Sequence, residues 1–552
     1  MYKNTIYADT VYTGGAIYTL DEQQPWAECV AICDGKFMYV GTDLGGQAYI
    51  GEQTTVIDLK GKMAMPGLHD MHIHGVEGAI AELYHCKIAL DATIDEIMLA
   101  VEEFADNRPH ERWITGGLWS MHLVPHIDKQ LLDAVCPDRP VFLWDASHHN
   151  GWVNSKALEL GGITATTPNP AGGEIVRDAH GNATGLLLET ATSSLVELIP
   201  ERSDAEYEQA VMWLADMLNR LGVTSIKEAA VNRPMMRAYK AVNDAGKLNL
   251  RVGCHFLWIT PFVYDAADLE SLLNDRHQYA GERVKVNFAK LFLDGVPAAR
   301  TACMLDPYTG DDPATHDPYG LLLVDREYLN EALITLDGAG MLVKMHATGD
   351  ASLRAGLNAI AAARESNGDS GLAHEIAHPQ NVHPDDLPRF AELGAVPDLC
   401  PILWHPSLNK EQSVIPAVGE ERVQRSWPIA SYHRSGARMI AGTDWPAMVP
   451  SANNWPGIQT MITRADPTGL VAGMLGENEA IDLATALRIY TINGAHAACH
   501  ADVCGSIEVG KYADMIVLDR NLFETPSEQL GTTQVLQTVL EGTIIWDVLK
   551  EL

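Results

Sequence analysis

Ala64-Met65-Pro66-Gly67-Leu68-His69-Asp70-Met71-His72-Ile73-His74-Gly75 decides how the rest of this 552-residue chain is read. It is an apolar, turn-bounded run that ends in His-x-His. In an extended strand, residues two apart point to the same side. His72 and His74 therefore present two imidazoles on one face, and Asp70 adds a carboxylate two residues earlier. Imidazoles and carboxylates suit zinc and similar divalent metals. A lone His-x-His is also an ordinary polar strand ending. Further ligands elsewhere in the chain would separate the two.

Downstream, short apolar runs alternate with helical segments, the signature of βα units and a parallel sheet. The runs are Val223–Ala229, Leu250–Phe256, Val284–Leu293, Met341–His346, Leu372–His378, Ala395–Leu399 and Arg438–Asp444. Helices are predicted between them, among others over Ala205–Leu221, Ala351–Arg364 and Asp385–Leu393. With Met65–His74 the strands number eight. That suits an α/β fold, a distorted (β/α)8 TIM barrel whose active site lies at the strand C-termini.

Both chain ends read as β-structure. Asp34-Gly35 between apolar alternations is a hairpin signal, and Glu541-Gly542 sits likewise between Val535–Leu540 and Thr543–Trp546. The ends are expected to meet in a small composite β-sandwich over 1–63 and 449–552, terminal helices included, with the barrel over 64–448. Residues from about 80 to 205 are too many for one βα connection. They read as an insertion over the barrel mouth, with strands of their own at Arg112–Trp119 and Pro140–Trp144. The polar, aromatic segments Asp145–Ser155 (with His149) and Gly173–Asp178 (with Arg177) are a substrate wall or ordinary turns. Trp119, Trp152, Trp404, Trp445 and Trp455 are pocket walls or packing.

The composition, 47% hydrophobic and 20% charged, is that of a globular protein. Acidic residues number 73 against 39 basic, for a formal charge of −34. That argues against nucleic acid and against an anionic membrane surface, since both need concentrated Lys and Arg. The N-terminus has no apolar h-region, and no apolar stretch is long enough to span a bilayer. Nine scattered cysteines without paired spacing suit reduced thiols in a cytoplasm.

The C-terminal ends of the predicted strands give a selective set: Asp70, His72 and His74 on the first, Lys290 on the fourth, His346 on the fifth, His378 on the sixth and Asp444 on the eighth. Each has a bland alternative. Lys290 would pair with Asp294, His346 would be a satisfied strand-end histidine, Asp444 a turn residue, and His374 competes with His378. Metal-type residues at five strand ends are not what chance scatter gives.

On these residues the chain resembles the amidohydrolase superfamily, and within it the branch of N-substituted formamide deformylase and related metal-dependent hydrolases. The markers are Pro66-Gly67-Leu68-His69-Asp70-Met71-His72-Ile73-His74, Asn154-Ser155-Lys156-Ala157-Leu158, Gly172-Gly173-Glu174-Ile175-Val176-Arg177-Asp178, Lys290-Leu291-Phe292-Leu293-Asp294-Gly295, His346-Ala347-Thr348-Gly349-Asp350, Gly442-Thr443-Asp444-Trp445-Pro446 and Gly505 to Asp514. The resemblance covers nearly the whole chain. It implies one or two divalent ions, with zinc expected. His72, His74 and Asp444 would hold one, and His346 and His378 a second. Lys290 would bridge the pair once carboxylated. Asp444 and His346 are the expected catalytic residues, and Asp70 is expected to orient a ligand or the strand end. His149, Trp119, Arg177 and Trp445 are the candidate substrate contacts. One departure is Ala377-His378-Pro379-Gln380, where the branch has Glu before the histidine and Ala-Gln after it. The implied activity is hydrolysis of an amide-type C–N bond in a small-molecule substrate, an N-acyl or N-formyl amine or a related amide, by a chain expected to form homo-oligomers. A deaminase, a metal-dependent isomerase or lyase, and a non-catalytic regulator on the same barrel are the alternatives.

Overall fold

The computed structural model describes residues 7–89, 91–145, 150–170, 173–259, 266–310, 317–407, 410–447 and 449–549. The chain divides into two compact units, Met1–Gly75 with Val211–Leu552, and Val76–Ala210.

The first unit contains eight consecutive parallel strands: β1 (Leu68–Ile73), β2 (Val223–Val231), β3 (Arg251–Ile259), β4 (Val284–Phe292), β5 (Leu342–His346), β6 (Glu375–Ala377), β7 (Val396–Leu399) and β8 (Ile440–Ala441). The ring closes between β8 and β1. Asp444 N–H donates to His72 O at 2.7 Å, and His74 N–H donates to Trp445 O at 2.8 Å. Closure needs Gly442, because a Cβ there would stand 2.3 Å from the His72 amide nitrogen. The strands are shorter than the apolar runs at β6 and β8, where the chain leaves the sheet to present His378 and Asp444.

The run Met65–His74 is not one strand. Met63–Pro66 belongs to another sheet, and the chain passes into β1 at Gly67. A Cβ at Gly67 would meet the Thr224 side chain at 2.4 Å, so glycine permits the close approach. The boundary expected after residue 63 therefore falls at Gly67.

Met63–Pro66 sits in the middle of a six-stranded sheet. Its order is Trp26–Ala27, Ala16–Tyr18, Met63–Pro66, Met515–Leu518, Val535–Leu540 and Thr543–Asp547. A four-stranded sheet, ordered Lys36–Gly41, Cys29–Cys33, Thr10–Thr13 and Thr55–Asp58, packs on it through Tyr12, Val30, Phe37, Met515, Val517 and Val539. Tyr12 Oη donates to Gln537 Oε1 at 2.6 Å. Both hairpins form where the sequence placed them. Asp34 and Gly35, and Glu541 and Gly542, all have positive φ, as a two-residue hairpin of matching twist requires.

The second unit is built on its own six-stranded sheet, from Gly173–Arg177 through Ala183–Glu189, Gly151–Val153, Val141–Asp145 and Ile114–Trp119 to Cys86–Lys87. Trp119, Trp152, Ile97 and Leu143 lie in one of its cores. Helix Ile94–Asn107 opens with a reciprocal cap between Thr93 and Glu96. No helix among the described residues is long and apolar enough to cross a membrane.

Arg251, at the start of β3, ties the barrel to the C-terminal strands. It pairs with buried Asp514 and, at 2.5 Å, with Glu541, which also takes Arg283 at 2.5 Å. Arg251→Ala would leave the Asp514 carboxylate buried without its cation. The expected cost is about 3–5 kcal/mol, read as a fall in the urea midpoint; an unchanged midpoint would show that the pair contributes nothing.

Candidate metal centre

His72 lies in β1 and His74 just beyond it, while Asp444 follows β8 across the closing seam. Asp444 Oδ1 stands 3.4 Å from His72 Nε2 and 3.4 Å from His74 Nε2. The ligand atoms of these three residues all lie within 4.8 Å of one another. A tetrahedral ion with bonds of about 2.0–2.1 Å sets its donors about 3.4 Å apart. The three residues therefore fit one divalent cation.

The remaining strand-end residues converge on the same place. Lys290 Nζ lies 3.2 Å from His72 Nε2. The His378 ring is 4.6 Å from that of His72 and 4.8 Å from that of His346, and His378 Nε2 is 3.9 Å from Asp444 Oδ2. Lys290 does not pair with Asp294. That carboxylate takes the amides of Cys303, Thr348 and Gly349 and the Ser352 hydroxyl. His374 is no rival to His378. Its Nδ1 accepts from Val343 N–H, so its protonated Nε2 donates to Asp337 at 2.9 Å.

Electrostatics prepares the imidazoles to donate lone pairs. Burial first, and the Lys290 charge among the secondary causes, holds His72 and His378 well below the usual histidine range and His346 at about 4. All three are neutral at pH 7. Their tautomers follow from their partners. His72 Nδ1–H donates to Asp398 at 2.7 Å, which leaves Nε2 as a lone pair. His346 Nε2–H donates to the Gly295 carbonyl at 3.1 Å, which leaves Nδ1. Burial likewise pushes the Lys290 ammonium down to about 8. For Asp444 burial acts upward, but His378, His74 and Lys290 outweigh it and hold the carboxyl below its ordinary value.

Asp70 does not join the cluster as a donor. Its carboxylate accepts from Thr443 N–H and Oγ1, His72 N–H and Asn454 Nδ2, so it fastens β1 to the segment after β8. His378 and Asp444 both have left-handed backbones, with φ of 58° and 60°. Each costs of order 1 kcal/mol or more for a residue with a Cβ. Amide bonds from His378 to Asp398 O and from Asp444 to His72 O hold them there.

Beneath the histidines runs a chain of buried charges that sequence reasoning missed. Lys227 pairs with Glu375, Glu375 with Lys344 at 2.9 Å, Lys344 with Asp398, and Asp398 with His72. All are fully buried. Lys344 and Asp398 each interrupt an apolar strand run, as in Val343-Lys344-Met345, and that interruption is the signal. Cys400 was also missed. It directly follows β7, is fully buried, and places Sγ 3.5 Å from His378 Nδ1.

The candidate substrate contacts fare differently. Trp445 is buried beside Asp444, with its carbonyl on the His74 amide. Trp119 and Arg177 belong to the second unit and are occupied within it. Trp119 is fully buried with its indole N–H on Leu143 O, so it is core and not a wall. Arg177 clamps the carbonyls of Thr164, Thr167 and Gly181. His149 lies outside the described residues.

Asp337 offers a pH test of the His374 assignment. Burial raises this carboxyl, but hydrogen bonds from His374, Ser370 and Asn367 overcome burial and hold it well below the usual range. The unfolded chain then binds the proton more tightly than the folded one. The stabilisation is thus complete above the unfolded value of about 3.9 and fades as pH falls below it. Asp337→Asn is expected to lower the urea midpoint at pH 7, with the gap to wild type narrowing below about pH 4. A gap independent of pH contradicts the assignment.

Comparison with known proteins shows the family. The sequence pattern of the amidohydrolase family matches residues 55–546. Protein LONG AFTER FAR-RED 3 of Arabidopsis thaliana is 28% identical, over 97% of this chain and 91% of the plant protein. N-substituted formamide deformylase of Arthrobacter pascens is 28% identical over 98% of each chain. The crystal structure of an uncharacterized metal-dependent hydrolase from Pyrococcus horikoshii OT3 superposes with a TM-score of 0.76 at 26% identity, covering 94% of this chain and 99% of that one. The chain belongs to the amidohydrolase family of metal-dependent hydrolases.

Proposed function

We propose that this chain hydrolyses an amide-type C–N bond in a small N-acyl or N-formyl amine, with zinc as its ion. The observation that carries the reading is the 3.4 Å spacing of Asp444 Oδ1 from both His72 Nε2 and His74 Nε2, with Lys290 against the same imidazole. The deformylase similarity supports the amide class in general terms.

A divalent cation, when bound, supplies Lewis acidity: it lowers the pKa of water from about 15.7 toward roughly 7 and draws electron density from a carbonyl oxygen. His72, His74 and Asp444 would hold it. Asp444 has a second task. Its Oδ2 faces His378 rather than His72, so one oxygen can bind while the other takes a proton from the attacking water and returns it to the departing nitrogen. Its low pKa keeps it ionised for that exchange. His346 Nε2–H is committed to the Gly295 carbonyl, so its unprotonated Nδ1 suits a ligand and not an acid. Lys290, with its pKa near 8, supplies the free amine that carbon dioxide needs to form a carbamate. As a carbamate, Lys290 would be an anionic oxygen donor for such cations, and His346 and His378 would hold a second one.

Two measurements test this. Metal analysis with a panel of N-formyl amines, N-acyl amines and cyclic amidines is expected to show zinc and release of amine with the matching carboxylate. Ammonia released from a ring without an acyl product would make the enzyme a deaminase. Asp444→Asn is expected to lower kcat by about 10²-fold or more, and Lys290→Ala to lower the bound metal. Full activity and metal content in Lys290→Ala would falsify the bridge.

A further inference from the structure

The metal centre contains a sulfur that the proposed function does not use. Cys400 follows β7 at the C-terminal face of the barrel, where the histidines also stand. Its thiol is fully buried, with Sγ 3.5 Å from His378 Nδ1. The ligand atoms of Cys400, His378 and His72 all lie within 4.8 Å of one another. A tetrahedral ion with a sulfur bond of about 2.3 Å and a nitrogen bond of about 2.0–2.1 Å sets those two donors about 3.5 Å apart. The observed separation is the same.

We propose that Cys400 is a sulfur ligand of the metal centre, forming with His72 and His378 a two-nitrogen, one-sulfur set for a thiophilic divalent cation. The proposal rests on the metal reading above and gives the ion a second donor set that shares His72 with the first. His72 Nδ1 is committed to Asp398, so His72 offers only Nε2, and one nitrogen serves one ion. The set with Cys400 and the set with His74 and Asp444 therefore overlap at His72 and compete for it. A hard ion such as magnesium or manganese is drawn to the carboxylate, cadmium to the thiolate, and zinc, borderline in softness, takes either set. The thiol gives up its proton to solvent when the cation takes its sulfur.

A weaker alternative uses the same distance. His378 Nδ1–H could donate to the sulfur, making Cys400 a support for His378 rather than a ligand. X-ray absorption at the zinc edge of the zinc-loaded full chain separates the two without any substitution. A sulfur scatterer at about 2.3 Å in the shell of the bound zinc is the expected result. Cys400→Ser should lose that scatterer. Cys33→Ser should keep it; this control is needed because Cys33 forms a separate cluster with Asp9 and Asp34 on the surface. In cobalt-loaded protein the near-ultraviolet thiolate band should follow the same pattern.

Bound zinc with only nitrogen and oxygen in its shell overturns the proposal while leaving the metal reading intact. Sulfur that persists in Cys400→Ser, or vanishes in Cys33→Ser, overturns it too. A chain that retains no metal after reconstitution overturns both, and metal analysis alone tells that case from the others.

Discussion

The site depends on the carboxylate of Asp70. A buried carboxylate is costly unless donors surround it. Here the donors are the Thr443 amide and hydroxyl, the His72 amide and the Asn454 side chain, and burial still pushes the carboxyl up to about 6. Thr443 is 373 positions away in sequence. Asp70 thus joins the first barrel strand to the last, and Gly442 lets the two backbones approach. His72, His74 and Asp444 meet because that seam closes.

The ligand set is rigid for a second reason. His72 stands at the end of a buried succession of alternating charges, Lys227, Glu375, Lys344 and Asp398, drawn from four strands. A (β/α)8 interior is commonly filled with branched apolar side chains. Charges there bring no obvious gain in stability, since removing ions from water offsets most of their attraction. They do fix a geometry. Asp398 holds one imidazole nitrogen of His72, and the lysine behind it holds Asp398.

Much of this was legible in the sequence. The eight apolar runs and the two hairpins announce themselves through period and turn chemistry, and the ligands through their place at strand ends. What escaped has a physical cause. Lys344, Glu375 and Asp398 lie on strands that are otherwise apolar, and nothing local says that three charges far apart in the chain will neutralise one another. Cys400 sits one residue beyond its strand and resembles a small core residue. From the sequence Trp119 is pocket wall or packing, because an aromatic side chain reads alike in a core and at a surface. The division of Met65–His74 at Gly67 was hidden because both halves are buried and extended, each in a different sheet.

The six-stranded sheet shared by both chain ends has a consequence for how the protein is made. Met63–Pro66 finds one neighbour early, in Ala16–Tyr18, and its other neighbour, Met515–Leu518, only after all the barrel strands have been made. At roughly 5–20 residues per second that edge stays open for tens of seconds. An unpaired apolar edge invites the wrong partner. The nascent chain must therefore be guarded at that edge until Met515–Leu518 arrives, so the sheet is completed later than the barrel strands it leads into.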